Sequence, residues 1–129
     1  MASPYLHAAY KDIAVADILT TVAAANTLVP DELGKRYKIV AVTVKAIGGN
    51  AGGSTALLVG VGTEVAWQMT TTDVDQNVIN LTNSANVTAT HVGHWAPANT
   101  AIAILRTGTV TTTATSIQVT VYYVEQGGN

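Results

Sequence analysis

Apolar and polar side chains alternate with a period of two through much of this chain. The run YKIVAVTVKAI puts Val40, Val42 and Val44 on one face, with Lys38 in the same parity at its start; the other face carries Tyr37, Ile39, Thr43 and Lys45. In SIQVTVYYVE, Ile117, Val119, Val121 and Tyr123 share one side, and Gln118, Thr120, Tyr122 and Val124 the other. Both predict strands, because an extended chain turns successive side chains to opposite faces and β-branched residues fit its pleated surface. TALLVGVGTEV reads as a third, with Leu57, Val59 and Val61 aligned, and VAWQMTTT, NVINLT and TAIAILRT are shorter candidates. Clusters of Gly, Asn, Asp, Pro and Thr separate them.

The stretch after residue 12 fits two periods. Val15, Ile18, Leu19 and Val22 suit a helix, whereas Ile13, Val15 and Asp17 alternate. Thr20 and Thr21 favour extended structure, so a strand is expected there. Residues 1–11 read as an N-terminal arm, with Pro4, Tyr5 and Tyr10 available to pack on a neighbour; the alternative is a frayed terminus. Short strands with turn signals between them and no sustained helix predict an all-β fold. The expected architecture is an antiparallel β-sandwich, jelly-roll-like, forming a single domain over residues 12–129.

Composition changes the picture in one respect. Only 11% of the 129 residues are charged and the net charge is −2, while 48% are hydrophobic without a single phenylalanine. An ordinary soluble domain carries roughly 25% charged residues. A surface so poor in charge is expected to be covered in an oligomer or a larger assembly. The charge balance gives no case for binding nucleic acid or an anionic membrane. With 0 cysteines, there is no disulfide framework, thiolate metal site or cysteine nucleophile. The first residues lack the basic start and apolar run of a signal peptide, and no apolar stretch is long enough to span a bilayer. The expectation is a soluble chain that folds where it is made.

Candidate chemistry is sparse. IGGNAGGST, residues 47–55, sets Gly48 and Gly53 at the separation of a phosphate-binding loop, followed by Ser54 and Thr55. It lacks the lysine, and the next segment alternates like a strand where such a loop needs a helix. A hairpin connection is expected instead, with its glycines supplying positive φ. THVGHW places His91 and His94 three apart, a zinc-ligand spacing only on a helix; Gly93 and Pro97 argue for extended chain, in which the two rings diverge. No third ligand is near, so no metal is assigned, and His91, His94 and Trp95 are expected at a subunit contact. Asp73 and Asp75 lack the glycine and glutamate that complete a calcium loop, since Val78 and Ser84 occupy those positions. Lys35, Arg36 and Lys38 form the only basic cluster, read either as the solvated start of a strand or as a docking patch for an acidic surface. No G-x-S-x-G elbow occurs and the histidines have no evident acidic partner, so no catalytic residue, cofactor or small-molecule substrate is assigned.

Beyond these local signals, GKRYKIVAVTVKAIGGNAGGSTALLVGVGTEV resembles small structural proteins of tailed bacteriophages, in which a strand ending in K/R-A-x-G-G, a loop of small residues and another strand follow one another. TATSIQVTVYYVE is similar to their closing strand, and the likeness covers residues 34–66 and 100–125. The resemblance implies a virion component assembled in the bacterial cytoplasm: a homotrimeric capsid decoration or cement protein that holds neighbouring major capsid protein subunits together. An alternative is a receptor- or carbohydrate-binding domain of a fibre or tail, with Trp67, Trp95 and Tyr122 stacking on sugar rings.

Overall fold

Rows of valine and isoleucine on one side of a strand have to be covered by a second such row, and here two sheets cover each other. The computed structural model describes residues 3–52, 56–62, 64–108 and 113–127. Eight strands lie within them: β1 (Ser3–Ala14), β2 (Thr27–Val29), β3 (Lys35–Ile47), β4 (Ala56–Val61), β5 (Glu64–Thr70), β6 (Asn80–Leu81), β7 (Ile102–Arg106) and β8 (Ser116–Gly127). One sheet has the order β1-β8-β3-β6 and the other β2-β7-β4-β5. All pairings are antiparallel. The pairs β1–β8, β2–β7, β3–β6 and β4–β5 are all present, so the chain folds back on itself as one long ladder. The contacts β8–β3 and β7–β4 then close that ladder into two facing layers. The expected antiparallel β-sandwich is what forms.

The core lies between the layers. From the first sheet come Val42, Val44, Ile117, Val119 and Val121, and from the second Leu57, Val59, Val61, Ile102 and Ile104, all of them buried. In a chain without phenylalanine, Trp67 and Tyr37 are the largest fully buried side chains and pack into this aliphatic core. Leu57, Val59 and Val61 share the inward face of β4, and Ile117, Val119 and Val121 that of β8, following the alternation in the sequence.

Strand β3 departs from its alternation. The register slips by one residue between Ile39 and Ala41, where Val40 is the extra residue of a bulge and is exposed. The bulge changes parity, so Tyr37 and Ile39 point inward together with Val42 and Val44. The sequence places them on opposite faces because the inserted residue is itself a valine, which leaves no break in the apolar pattern. A second bulge, at Val59–Gly60 of β4 against β5, lets both Ala66 and Trp67 face the core.

Three further expectations change. Residues 3–11 are the first part of edge strand β1, paired with β8 as far as Ala14, where an arm outside the sandwich was expected. Beyond Ala14 the chain makes two short 3-10 turns, Val15–Asp17 and Ala24–Asn26, in place of the expected strand. Thr21 and Ala23 are held by Asn26, whose amide donates to the Thr21 carbonyl and accepts from the Ala23 N–H. The glycine loop is a crossing from one sheet to the other, since β3 and β4 lie in different sheets. Ala51 anchors it, buried and donating its N–H to the Val74 carbonyl at 2.9 Å. Gly53, Ser54 and Thr55 lie outside the described residues. Positive φ is observed at Gly48, Gly49 and Gly52, as the sequence suggested.

Two substitutions test this packing. Trp67→Ala is expected to cost ~3–5 kcal/mol, as truncation of a large buried ring does, and a loss under ~1 kcal/mol in denaturant unfolding contradicts its central place. A Cβ on Gly49 would run into the Thr113 carbonyl, whereas one on Gly93 would meet nothing within 4 Å. Both glycines have positive φ. Gly93→Ala is therefore expected to cost only the backbone term, about 1–2 kcal/mol, and Gly49→Ala clearly more; equal losses contradict the crossing as described.

Candidate functional site

The strongest surface feature is the outer face of the sheet β1-β8-β3-β6. Register sets its side chains in rows across the strands. One row runs Tyr10, Thr120, Thr43, Leu81; the next runs Asp12, Gln118, Lys45; a third runs Ala8, Tyr122, Ala41. Threonines at the centre and bulky apolar residues at both sides leave a groove of about 500 Å3. Tyr10, 61% exposed, forms one bank, and Ile79, 59% exposed, forms the other with Leu81. Thr43 and Thr120 floor it without a charge, while Lys45 and Gln118 lie toward one end. Such a face offers apolar area and hydroxyl groups and carries no acid–base pair at its centre.

The other residues singled out in the sequence fall in two places. Tyr5 and Tyr10 are both exposed on β1; Pro4 is in the same strand, and its side chain lies outside the described residues. Lys35, Arg36, Lys38 and Trp95 meet around the start of β3. There the segment 93–99 runs along the strand: Gly93, Ala96 and Asn99 donate backbone N–H groups to the carbonyls of Ile39, Tyr37 and Lys35 at 2.8–3.0 Å. Arg36 donates from Nε to the Ala96 carbonyl at 2.9 Å, and Lys38 Nζ sits 4.9 Å from the centre of the Trp95 ring. The three cations are thus engaged with their own chain, two of them stapling segment 93–99 to β3.

His91 and His94 stand in a turn with their rings edge to face, centroids 5.9 Å apart. Their backbones are joined by a bond from the His94 N–H to the His91 carbonyl, and the His91 N–H reaches the Val65 carbonyl at 3.0 Å. Among the described residues, no three His, Cys, Asp or Glu side chains come together to hold a metal ion. The sugar-stacking platform does not assemble, because Trp67 is fully buried whereas Tyr122 lies in the outer row of the first sheet.

One cluster escaped the sequence. Glu32 and Glu125 both bind Lys35, each at 2.8 Å, and His7 Nε2 lies 3.2 Å from the other carboxylate oxygen of Glu125. The His7 ring stacks on Tyr123 at 5.2 Å, and Tyr123 meets Tyr37 edge to face at 5.5 Å. The Tyr37 hydroxyl donates to the Pro30 carbonyl at 2.7 Å. The hydrogen bonds that the Lys35 ammonium donates to Glu125 and then to Glu32 hold it well above the ordinary lysine range. Burial first, and Glu32 second, push the Tyr37 phenol up to about 12; burial and then Glu125 raise Tyr123 as well. The usable signal was that a chain with few ions spends an acid at the end of β8 and a cation at the start of β3, which the register brings together.

These raised values fix the sign of a pH dependence. Above about pH 10 the folded chain holds protons on Tyr37, Tyr123 and Lys35 that the unfolded chain releases, with Tyr37 holding its own up to about 12, so stability is fully present below that range and falls as pH rises through it. Melting curves from pH 8 to 12 check this. Tyr37→Phe is expected to lose about 1 kcal/mol near neutrality, with the Pro30 hydrogen bond, and to show a shallower alkaline decline. An unchanged slope contradicts the assignment. In comparisons with protein-family models, with curated proteins and with solved structures, nothing matches this chain.

Proposed function

We propose that this chain is a structural virion protein that binds the outside of a tailed-phage capsid and bridges neighbouring major capsid protein subunits. The observation that carries this reading is the outer face of the sheet β1-β8-β3-β6. It is an apolar-banked, threonine-floored groove without a central charge, on a chain with only 11% charged residues. Covering such a face releases water from apolar area at little cost in desolvated charge. A stable interface buries about 1,200–2,000 Å2, and repetition around a symmetric shell multiplies the hold of each individual patch. Against outward pressure, two hydrogen-bonded sheets locked by a common core transmit load without a moving part.

The strand order supports the same reading. Eight strands nested as 1–8, 2–7, 3–6 and 4–5 and split into 1-8-3-6 and 2-7-4-5 follow the order expected of a jelly roll, an architecture of viral capsid domains and also of lectins. Architecture alone does not assign a function. The resemblance of residues 34–66 and 100–125 to small phage structural proteins points toward the capsid use.

The experiment compares mature capsids with and without the protein. Capsids carrying it are expected to survive heating and low salt that disrupt bare ones, and Tyr10→Asp with Leu81→Asp to weaken attachment by about tenfold or more, as loss of central contact residues does. Bare capsids that withstand the same treatment equally well contradict the cementing role.

A further inference from the structure

A sheet edge left open is a template for another strand, and the edges of this sandwich are not alike. β2 is three residues long. β6 is two residues long, and both its Leu81 backbone groups are taken by Ser84: the Leu81 N–H donates to Oγ at 2.9 Å, and the Leu81 carbonyl accepts from the Ser84 N–H at 3.0 Å. β5 is covered, since Gln68 and Thr88 exchange two backbone hydrogen bonds at 2.8 and 2.9 Å and His91 bonds Val65. β1 differs from all three. It is 12 residues long, roughly 40 Å at the rise of an extended chain, and among the described residues it pairs on one side only, with β8.

The defences of β1 lie at its start, where Pro4 has no N–H and the register against β8 shifts between Ser3 and His7; from His7 to Ala14 the ladder is regular. Tyr5 is 74% exposed and Leu6 60%. Its two charges are turned to the chain's own groups: Lys11 Nζ donates to the Thr27 carbonyl at 3.3 Å and lies 3.5 Å from that of Ala24, and Asp12 accepts from Gln118 at 3.4 Å. We propose that β1 is a self-association edge, pairing antiparallel with β1 of a second copy across a two-fold axis to join two four-stranded sheets into one of eight strands.

The second copy follows from the other edges. A head-to-tail ring needs a second open edge to receive β1, and the described residues offer none of comparable length. An edge that can pair only with itself gives an isologous, closed dimer. This two-fold pair takes the place of the three-fold ring that the phage resemblance implied, and it stands whether or not the chain decorates a capsid.

Register narrows the arrangement further. Directly opposed residues in an antiparallel pair share a face, so the axis passes through one residue. Centring on Lys11 or Asp12 opposes like charges, which destabilises a pair. Centring on Ala8 opposes small side chains at the axis and sets His7 against the partner's Ala9 and Tyr10 against its Leu6 on both sides.

Ala8 is exposed, so substitutions there test the pairing without touching the core. Ala8→Glu and Ala8→Lys would each oppose like charges at the axis. In sedimentation or light scattering, the wild type is expected at twice the 13.3 kDa chain mass. Each variant alone is expected to dimerise about fivefold more weakly or worse, and an equimolar mixture of the two to recover dimers. Ala8→Cys, introduced into a chain with no cysteine, is expected to cross-link under mild oxidation, while Leu33→Cys, exposed elsewhere, does not. A wild type that stays single at high concentration or sediments at three chain masses overturns the proposal. So does a dimer that is indifferent to both charge variants and whose Ala8→Cys form makes no intermolecular disulfide.

Discussion

A sandwich of two four-stranded sheets has four outer strands, and each presents backbone N–H and C=O groups that need partners or water. Much of what is irregular in this chain answers that requirement. The segment 88–99 makes two passes of this kind: Thr88 and His91 bond to β5, and Gly93, Ala96 and Asn99 bond to β3. Arg36 and the Lys38–Trp95 stack then fasten it in place. Ser84 ends β6 by consuming both backbone groups of Leu81. Arg36 and Lys38 of GKRYK and the THVGHW segment, which look most like candidates for chemistry, take part in this edge-closing work.

The same constraint explains how few ions are needed. Several of the charges that do occur organise backbone or hold strand ends. Glu32, Lys35 and Glu125 tie the start of β3 to the end of β8, with His7 of β1 against the same carboxylate. Exposed ion pairs contribute little to stability, but this one is packed beside the stacked rings of His7, Tyr123 and Tyr37. The outer faces are left to threonine, alanine, valine and tyrosine. The proposed capsid contact would cover that surface, and the groove between Tyr10 and Ile79 is its most developed part.

How far the sequence foretells this depends on the element. β4 and β8 were legible because a row of β-branched residues on one parity needs only a partner sheet to become a core. β3 was legible as a strand but not in its facing, because the bulge at Val40 inserts one more valine into a valine-rich run. Residues 3–11 carry no aliphatic alternation strong enough to mark an edge strand; they are held by pairing with β8, a contact more than a hundred residues away in sequence. The crossing at 48–52 looked like a hairpin since glycines report the need for positive φ and not which sheet comes next. Of the candidate contacts, Tyr5 and Tyr10 lie on exposed β1, whereas the basic cluster and Trp95 are spent internally.

In the proposed dimer, β1 is the edge that this sandwich leaves for another chain. Amide hydrogen exchange followed as a function of protein concentration measures that directly. Pairing of β1 with its copy requires that the amides of residues 7–13 facing away from β8 gain protection as concentration rises, while amides of β5 and β6 do not change. Exchange along β1 that is equally fast at every concentration would contradict it.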